Sequence, residues 1–135
     1  MRRKKAKVSE YTEQMTDAAL RPVVKLRLAK EGIFFGPGAA QLMECIEETG
    51  SIQEACAKME LSYSKGSRII KNTEKELGFK LLERWTGGTG GGGSRLTAEG
   101  RKLLKCYEEL TEKVQESAEA IFAECFAKEA GSDIP

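Results

Sequence analysis

Apolar positions along this chain change period several times, and each change marks an expected element. Residues 1–20 are polar and aperiodic, which predicts a loose basic tail over residues 1–21 with a helical turn near Tyr11–Leu20. From Val24 the apolar positions alternate through Leu26 and Leu28, and Ile33-Phe34-Phe35 follows the turn residues Lys30-Glu31-Gly32. Two such runs around a glycine turn predict a small hairpin. Gly36-Pro37-Gly38 then ends the strand, and Pro37 suits the first turn of a helix, where its missing N–H has no partner to lose.

A helical period takes over. Ala39, Leu42, Met43 and Ile46 share one face of a helix that Gly50 terminates. Ser51 and Glu54 have the spacing of a capping box, opening a second helix to about Glu60 with Ile52, Ala55, Cys56 and Met59 inside. Ser62 caps a third helix that runs through Leu77 and closes at Gly78. Its inner face is Gly66, Ile70, Thr73 and Leu77; its outer face is Tyr63, Ser64, Lys65, Ser67, Arg68, Lys71 and Asn72. Strand-like segments Lys80–Trp85 and Ser94–Leu96 follow, and Thr97 caps a final helix. There the stripe Leu103, Tyr107, Leu110, Val114, Ala118, Ile121, Cys125, widened by Leu104, Phe122 and Phe126, persists for the whole length.

Between the last two strands lies Gly87-Gly88-Thr89-Gly90-Gly91-Gly92-Gly93, six glycines in seven positions. Such density provides backbone freedom and close approach to a surface. A phosphate-cradling nucleotide loop and a hairpin tip both use it. The nucleotide loop needs a lysine and a hydroxyl directly after its last glycine, and Ser94-Arg95 stand there instead. A dinucleotide pattern can be forced onto Gly88, Gly90 and Gly93, but the βαβ context is missing.

Composition narrows the classes further. The chain has no histidine, which removes hydrolytic triads and histidine-based metal sites, and nothing suggests an enzyme or a cofactor. Cys45, Cys56, Cys106 and Cys125 form no C-x-x-C pair; three fall on apolar helix faces, so free core thiols in a reducing cytoplasm are expected. No apolar run approaches a membrane span, and no apolar stretch follows the basic N-terminus as in a secretory signal. The formal net charge of +1 conceals blocks: residues 1–30 and 61–96 are basic, 31–60 and 97–135 acidic. Basic surfaces on an acidic body suit a polyanion, although charge blocks are also common on solvated faces.

A short helix, a tight turn and a second helix packed through small residues such as Ala55 and Gly66 form a helix-turn-helix, whose second helix would enter the major groove of duplex DNA. Its outer face carries the chemistry for that. Arg68 and Lys71 can reach guanine or phosphate, Asn72 can read adenine, and Ser62, Tyr63, Ser64, Lys65 and Ser67 can meet phosphates. A merely solvated face would alternate Glu with Lys, whereas no acid occurs from Ser62 to Thr73. The glycine run then becomes the tip of a wing, with Arg84, Thr89, Ser94 and Arg95 as backbone or minor-groove contacts. A plain surface loop remains the alternative. The final helix, 32 residues and ~48 Å long from Thr97 to Lys128, outruns a domain of this size. Its first half is expected to pack within the chain and its second half on the same helix of a second chain, in a homodimer whose face is drawn from the stripe Leu103, Tyr107, Leu110, Val114, Ala118, Ile121, Phe122 and Cys125.

The expected fold is mainly α with small β: a winged helix-turn-helix over residues 22–96, with an N-terminal β-hairpin and a wing at 80–96, and a long C-terminal dimerisation helix at 97–130. Gly50-Ser51-Ile52, Ala55-Cys56-Ala57, Leu61-Ser62-Tyr63-Ser64, Glu76-Leu77-Gly78, Leu82-Glu83-Arg84 and Leu96-Thr97-Ala98-Glu99-Gly100 resemble the LysR-type winged helix-turn-helix. Phe35-Gly36-Pro37-Gly38, Met59-Glu60-Leu61-Ser62-Tyr63 and the glycine run narrow the resemblance to the N-terminal DNA-binding domain of ModE-type molybdate-responsive transcription regulators, over about residues 22–126. The resemblance implies a dimeric, cytoplasmic regulator, often a repressor, that controls molybdate transport or molybdenum-related genes. Relatives often carry tryptophan at the position of Ser67, so a different base preference is implied. The oxyanion-binding domains of the family have no counterpart before Pro135, and molybdate binding by this chain is not expected. A winged-helix module that binds protein instead of DNA is the alternative function.

Overall fold

The computed structural model describes residues 20–87 and 91–128. They fall into two compact units, residues 25–109 and residues 20–24 with 110–128. The expected helical turn near Tyr11–Leu20 lies largely, and Thr89 wholly, outside the described residues.

In the larger unit, β1 (Leu28–Ala29) pairs antiparallel with β2 (Ile33–Phe35), matching Leu28 to Phe35 and Ala29 to Ile33 across an irregularity. The alternation that predicts the first strand starts at Val24, yet pairing starts only at Leu28. Its partner is short because Gly36 and Pro37 turn the chain into α1 (Pro37–Thr49), leaving the earlier residues no strand to bond. Val24, Leu26 and Leu28 still alternate half-buried. The Leu26 carbonyl accepts from the Tyr107 hydroxyl at 2.7 Å instead of from a ladder.

Helix α1 ends where Gly50 turns left-handed at φ 76° and its N–H returns to the Ile46 carbonyl. Helix α2 (Ile52–Lys58) starts at Ser51, whose Oγ accepts from the Glu54 N–H at 3.1 Å. Such a cap stabilises by ~1 kcal/mol. The α2 exit is a Schellman turn: Leu61 N–H reaches the Cys56 carbonyl at 2.9 Å and Glu60 N–H the Ala57 carbonyl at 3.1 Å. Glu60 takes the left-handed position, at φ 58°, that glycine usually fills. Helix α3 (Tyr63–Leu77) is capped by Ser62 Oγ, which accepts from Lys65 N–H, and stops at left-handed Gly78.

The core gathers Phe35, Leu42, Met43, Ile46, Ala55, Cys56, Ile70, Leu81, Leu96 and Tyr107. Phe35 and Tyr107 meet edge to face with centroids 5.0 Å apart, worth ~0.5–1.5 kcal/mol beyond burial. Gly66 of α3 lies against Cys56 Sγ of α2, and any Cβ there would collide with that sulfur. Burial pushes the Cys56 thiol up, so it stays neutral and packs as a small apolar group.

Strands β3 (Leu82–Trp85) and β4 (Gly93–Leu96) form the wing hairpin, in register from Leu82 opposite Leu96 to Trp85 opposite Gly93. Helix α4 (Ala98–Lys128) opens on Thr97, whose Oγ1 accepts from the Gly100 N–H at 2.9 Å. Glycine is needed at position 100, because a Cβ would come 2.6 Å from the Leu81 carbonyl oxygen.

Two placements correct the expected dimer face. Tyr107 is 5% exposed and Leu103 packs on the core, so both spend their apolar surface inside the larger unit, covering Phe35 and its neighbours. Cys45 and Cys56 are buried, whereas Cys106 and Cys125 are exposed. In the smaller unit the Gln115 amide grips the incoming chain. Its Oε1 accepts from Val24 N–H at 3.0 Å and its Nε2 donates to the Pro22 carbonyl at 2.8 Å. Phe122 and Phe126 stack with centroids 4.2 Å apart. Among the described residues, no helix is long and apolar enough to cross a membrane.

Gly66→Ala is expected to destabilise the domain by ~1–3 kcal/mol through overpacking, and Cys56→Ala in the same chain to recover part of that loss. A urea-unfolding double-mutant cycle reads both. Glu60→Gly removes left-handed strain of ~1–2 kcal/mol but adds unfolded-state entropy, for a net gain of ~0.5–1 kcal/mol. The urea midpoint should rise at constant slope.

Candidate nucleic-acid interface

Helix α3 separates its two chemistries by period. Gly66, Ile70 and Thr73 are buried, and Thr73 Oγ1 donates to the Ile69 carbonyl at 2.9 Å, leaving no hydroxyl unsatisfied inside. One hundred degrees per residue then carries Ser64, Lys65, Arg68, Lys71, Asn72 and Lys75 to the solvent side, where all six are exposed. Ser62 and Tyr63 at the helix start are exposed as well, Tyr63 by 51%. Ser67 is half-buried, at the margin of the stripe.

The electrostatics of this face are one-signed. No acid lies in the first turn of α3, and the free N–H groups of that turn add the positive end of the helix dipole. Among the described residues, Lys65, Arg68, Lys71 and Lys75 have no carboxylate at salt-bridge distance. Lys58 and Arg101, by contrast, pair with Glu48 and Glu47, each at 3.3 Å.

The wing divides its residues between two faces, as strand alternation requires. Ser94 faces inward with Leu82 and Leu96 and is 6% exposed; its N–H donates to the Gly50 carbonyl at 2.8 Å. Ser94 was expected on the contact surface, and this burial removes its side chain from it. On the other face Arg95 meets Glu83 across the strands, Nε to Oε1 at 3.3 Å, with its guanidinium 5.8 Å from the Trp85 ring centroid. Arg95 is therefore exposed but already partnered. Gly93 passes directly under the Trp85 indole, so part of the glycine run does serve packing. Trp85, 47% exposed, is a surface group that pattern reading passed over.

Arg84 is exposed at the edge of β3 and lines a cleft of about 730 Å³ with Lys71, Lys75, Lys80, Glu74, Gly78, Phe79 and Leu82. The cleft thus joins the C-terminal half of α3 to the wing. Lys75 could have been found by extending the Lys71 stripe one turn, since the two are four residues apart. Lys80 carries no periodic signal; the turn after Gly78 brings it beside Glu74 of α3. Among the described residues, no group of His, Cys, Asp or Glu side chains could hold a metal ion.

Comparison with known proteins agrees with this geometry. Residues 38–101 match the family model described as bacterial regulatory helix-turn-helix protein, lysR family. The transcriptional regulator ModE of Haemophilus influenzae is 35% identical over 89 residues, covering 66% of this chain and 34% of that protein. The DNA-binding transcriptional dual regulator ModE of Escherichia coli K12 is 32% identical over 89 residues, with the same shares of 66% and 34%. The chain therefore aligns with about a third of the length of these curated relatives. Among solved structures, the CbnR DNA-binding domain in a DNA complex has a similar fold, with a TM-score of 0.51 at 23% identity, covering 65% of this chain and 95% of that one. From the capped α1–α3 core to the start of α4, residues 38–101 thus carry a LysR-type helix-turn-helix domain, and the chain has sequence relatives among the ModE proteins.

Proposed function

We propose that this chain binds duplex DNA sequence-selectively and acts in transcription control as a regulator related to ModE. One observation carries the reading: the exposed stripe of α3 presents Arg68, Lys71 and Asn72 after a serine-rich first turn, with no acid from Ser62 to Thr73 and no internal carboxylate on its cations. Arginine and lysine reach guanine O6 and N7 or phosphate, and asparagine matches adenine N6 and N7. Ser62, Tyr63, Ser64 and Lys65 at the helix start meet the flanking phosphates. The name of the Escherichia coli relative supports the same activity. In this reading the role is binding, not catalysis, and its place is the cytoplasm. Control of molybdate transport or molybdenum-related genes follows from the ModE resemblance alone.

We also propose that two copies pair through residues 110–128. Leu110, Ile121 and Phe126 are 43%, 58% and 37% exposed, and half-buried Val114, Ala118 and Phe122 continue the same stripe. Apolar groups at this spacing suit a helix–helix seam. Pairing would offer two α3 helices to two half-sites.

Arg68→Ala should weaken binding to a selected duplex by ~1–3 kcal/mol and relax specificity at one position. Competition between the selected and a random duplex reads this; equal loss on both would make Arg68 a phosphate contact. Affinity of the wild type that stays flat from low to moderate salt would instead favour a protein-interaction module. In sedimentation at micromolar concentration the chain should run as a dimer and Ile121→Glu as a monomer. A monomeric wild type overturns the pairing.

A further inference from the structure

We infer that the cleft between α3 and β3 seats the sugar-phosphate strand that separates the major from the minor groove, with Lys75 and Lys80 as phosphate contacts beside Lys71 and Arg84. The inference rests on the DNA-binding reading above and specifies how the two contact elements share one duplex. Neighbouring grooves are divided by a single backbone strand, so a helix in one and a hairpin along the next must straddle that strand. Whatever lines the gap between them then faces phosphate.

The lining fits that ligand. Four cations converge on the cleft against one carboxylate, Glu74. That carboxylate is engaged: Oε2 accepts from the Leu81 N–H at 2.8 Å and Oε1 lies 3.8 Å from Lys80 Nζ. Its side chain is only 15% exposed, whereas that of Lys80 is 82% exposed, so the ammonium stands at the rim with Glu74 beneath it. Lys71, Lys75 and Arg84 have no described carboxylate at all. A carboxylate that positions one lysine while three more cations stay unpaired leaves a surplus of positive charge, and that surplus suits a polyanion passing through. Left-handed Gly78, at φ 81°, lines the cleft without a side chain. Lysine ammonium groups grip phosphate as point charges without reading bases, so this cleft would supply affinity and register and leave specificity to Arg68 and Asn72.

The test uses the full chain and a labelled random-sequence duplex, with affinity measured by anisotropy across a salt series. Each phosphate contact contributes about 0.9 to the slope of log affinity against log salt. Lys75→Gln with Lys80→Gln should therefore flatten the slope by roughly 1.8 and weaken selected and random duplexes alike. Thermal unfolding of the variant, unchanged from wild type, establishes that the fold is kept; Lys75→Glu alone, which should weaken binding further than Lys75→Gln, is the second variant. An unchanged slope in the double variant, with wild-type binding intact, overturns the cleft assignment and leaves the DNA-binding reading standing. Absence of salt-dependent duplex binding by the wild type overturns both. Inorganic phosphate that raises the melting point of the wild type but not of the double variant, together with an unchanged slope, would assign the cleft to a free anion and also overturn the proposal.

Discussion

The contact of Gly66 with Cys56 sets the direction of everything the domain presents outward. Without a side chain at Gly66, α3 comes close enough to α2 for Ile70 and Thr73 to be fully buried. Once that inner line is held, helical geometry leaves the outer stripe no choice of direction. Ser64, Lys65, Arg68, Lys71 and Asn72 face solvent because Gly66, Ile70 and Thr73 cannot. The Schellman turn through Glu60 completes the arrangement, since it fixes the angle at which α3 leaves α2.

The wing is indexed to the same core by main-chain bonds and by one carboxylate, that of Glu47. Ser94 N–H reaches the Gly50 carbonyl at 2.8 Å, which ties β4 to the turn that begins the helix-turn-helix. Leu96 N–H reaches Glu47 Oε1 at 3.4 Å, and Arg101 of α4 meets the other oxygen of that carboxylate at 3.3 Å. Thr97 N–H donates to the Leu81 carbonyl at 2.9 Å, over the spot where Gly100 has no Cβ. Exposed ion pairs alone are worth ~0–1 kcal/mol. Here the main-chain bonds hold the position, and Glu47 joins α1, β4 and α4 at one point.

Several elements were legible because local physics decides them. Ser51, Ser62 and Thr97 accept from N–H groups three residues on, and Gly50 and Gly78 take the left-handed conformation that ends a helix. Helix α3 has the bounds expected from its caps. The first strand was overestimated, because alternation records half-burial and not pairing: Val24 and Leu26 alternate, but their polar main chain is met by Gln115 and Tyr107 side chains. Sequence alone does not show where along α4 internal packing gives way to a dimer seam, so Tyr107 and Leu103 fall on the expected dimer face: a continuous stripe looks the same whether its cover is internal or external. Polarity alone points Ser94 outward, yet β4 register turns it to the core with Leu96.

By itself, then, the sequence determined the helices, their caps, the absence of acid along one face of α3 and the glycine-rich connection of the hairpin. These depend on neighbours within a few residues. What only the tertiary structure decided is which surfaces are spent. It buried Tyr107 and Ser94, partnered Arg95 with Glu83, and drew Lys75, Lys80 and Arg84 into one cleft beside Glu74. The reason is distance: such side chains come together through the α3–β3 turn and the β3–β4 register, and no periodicity within a single element carries that information.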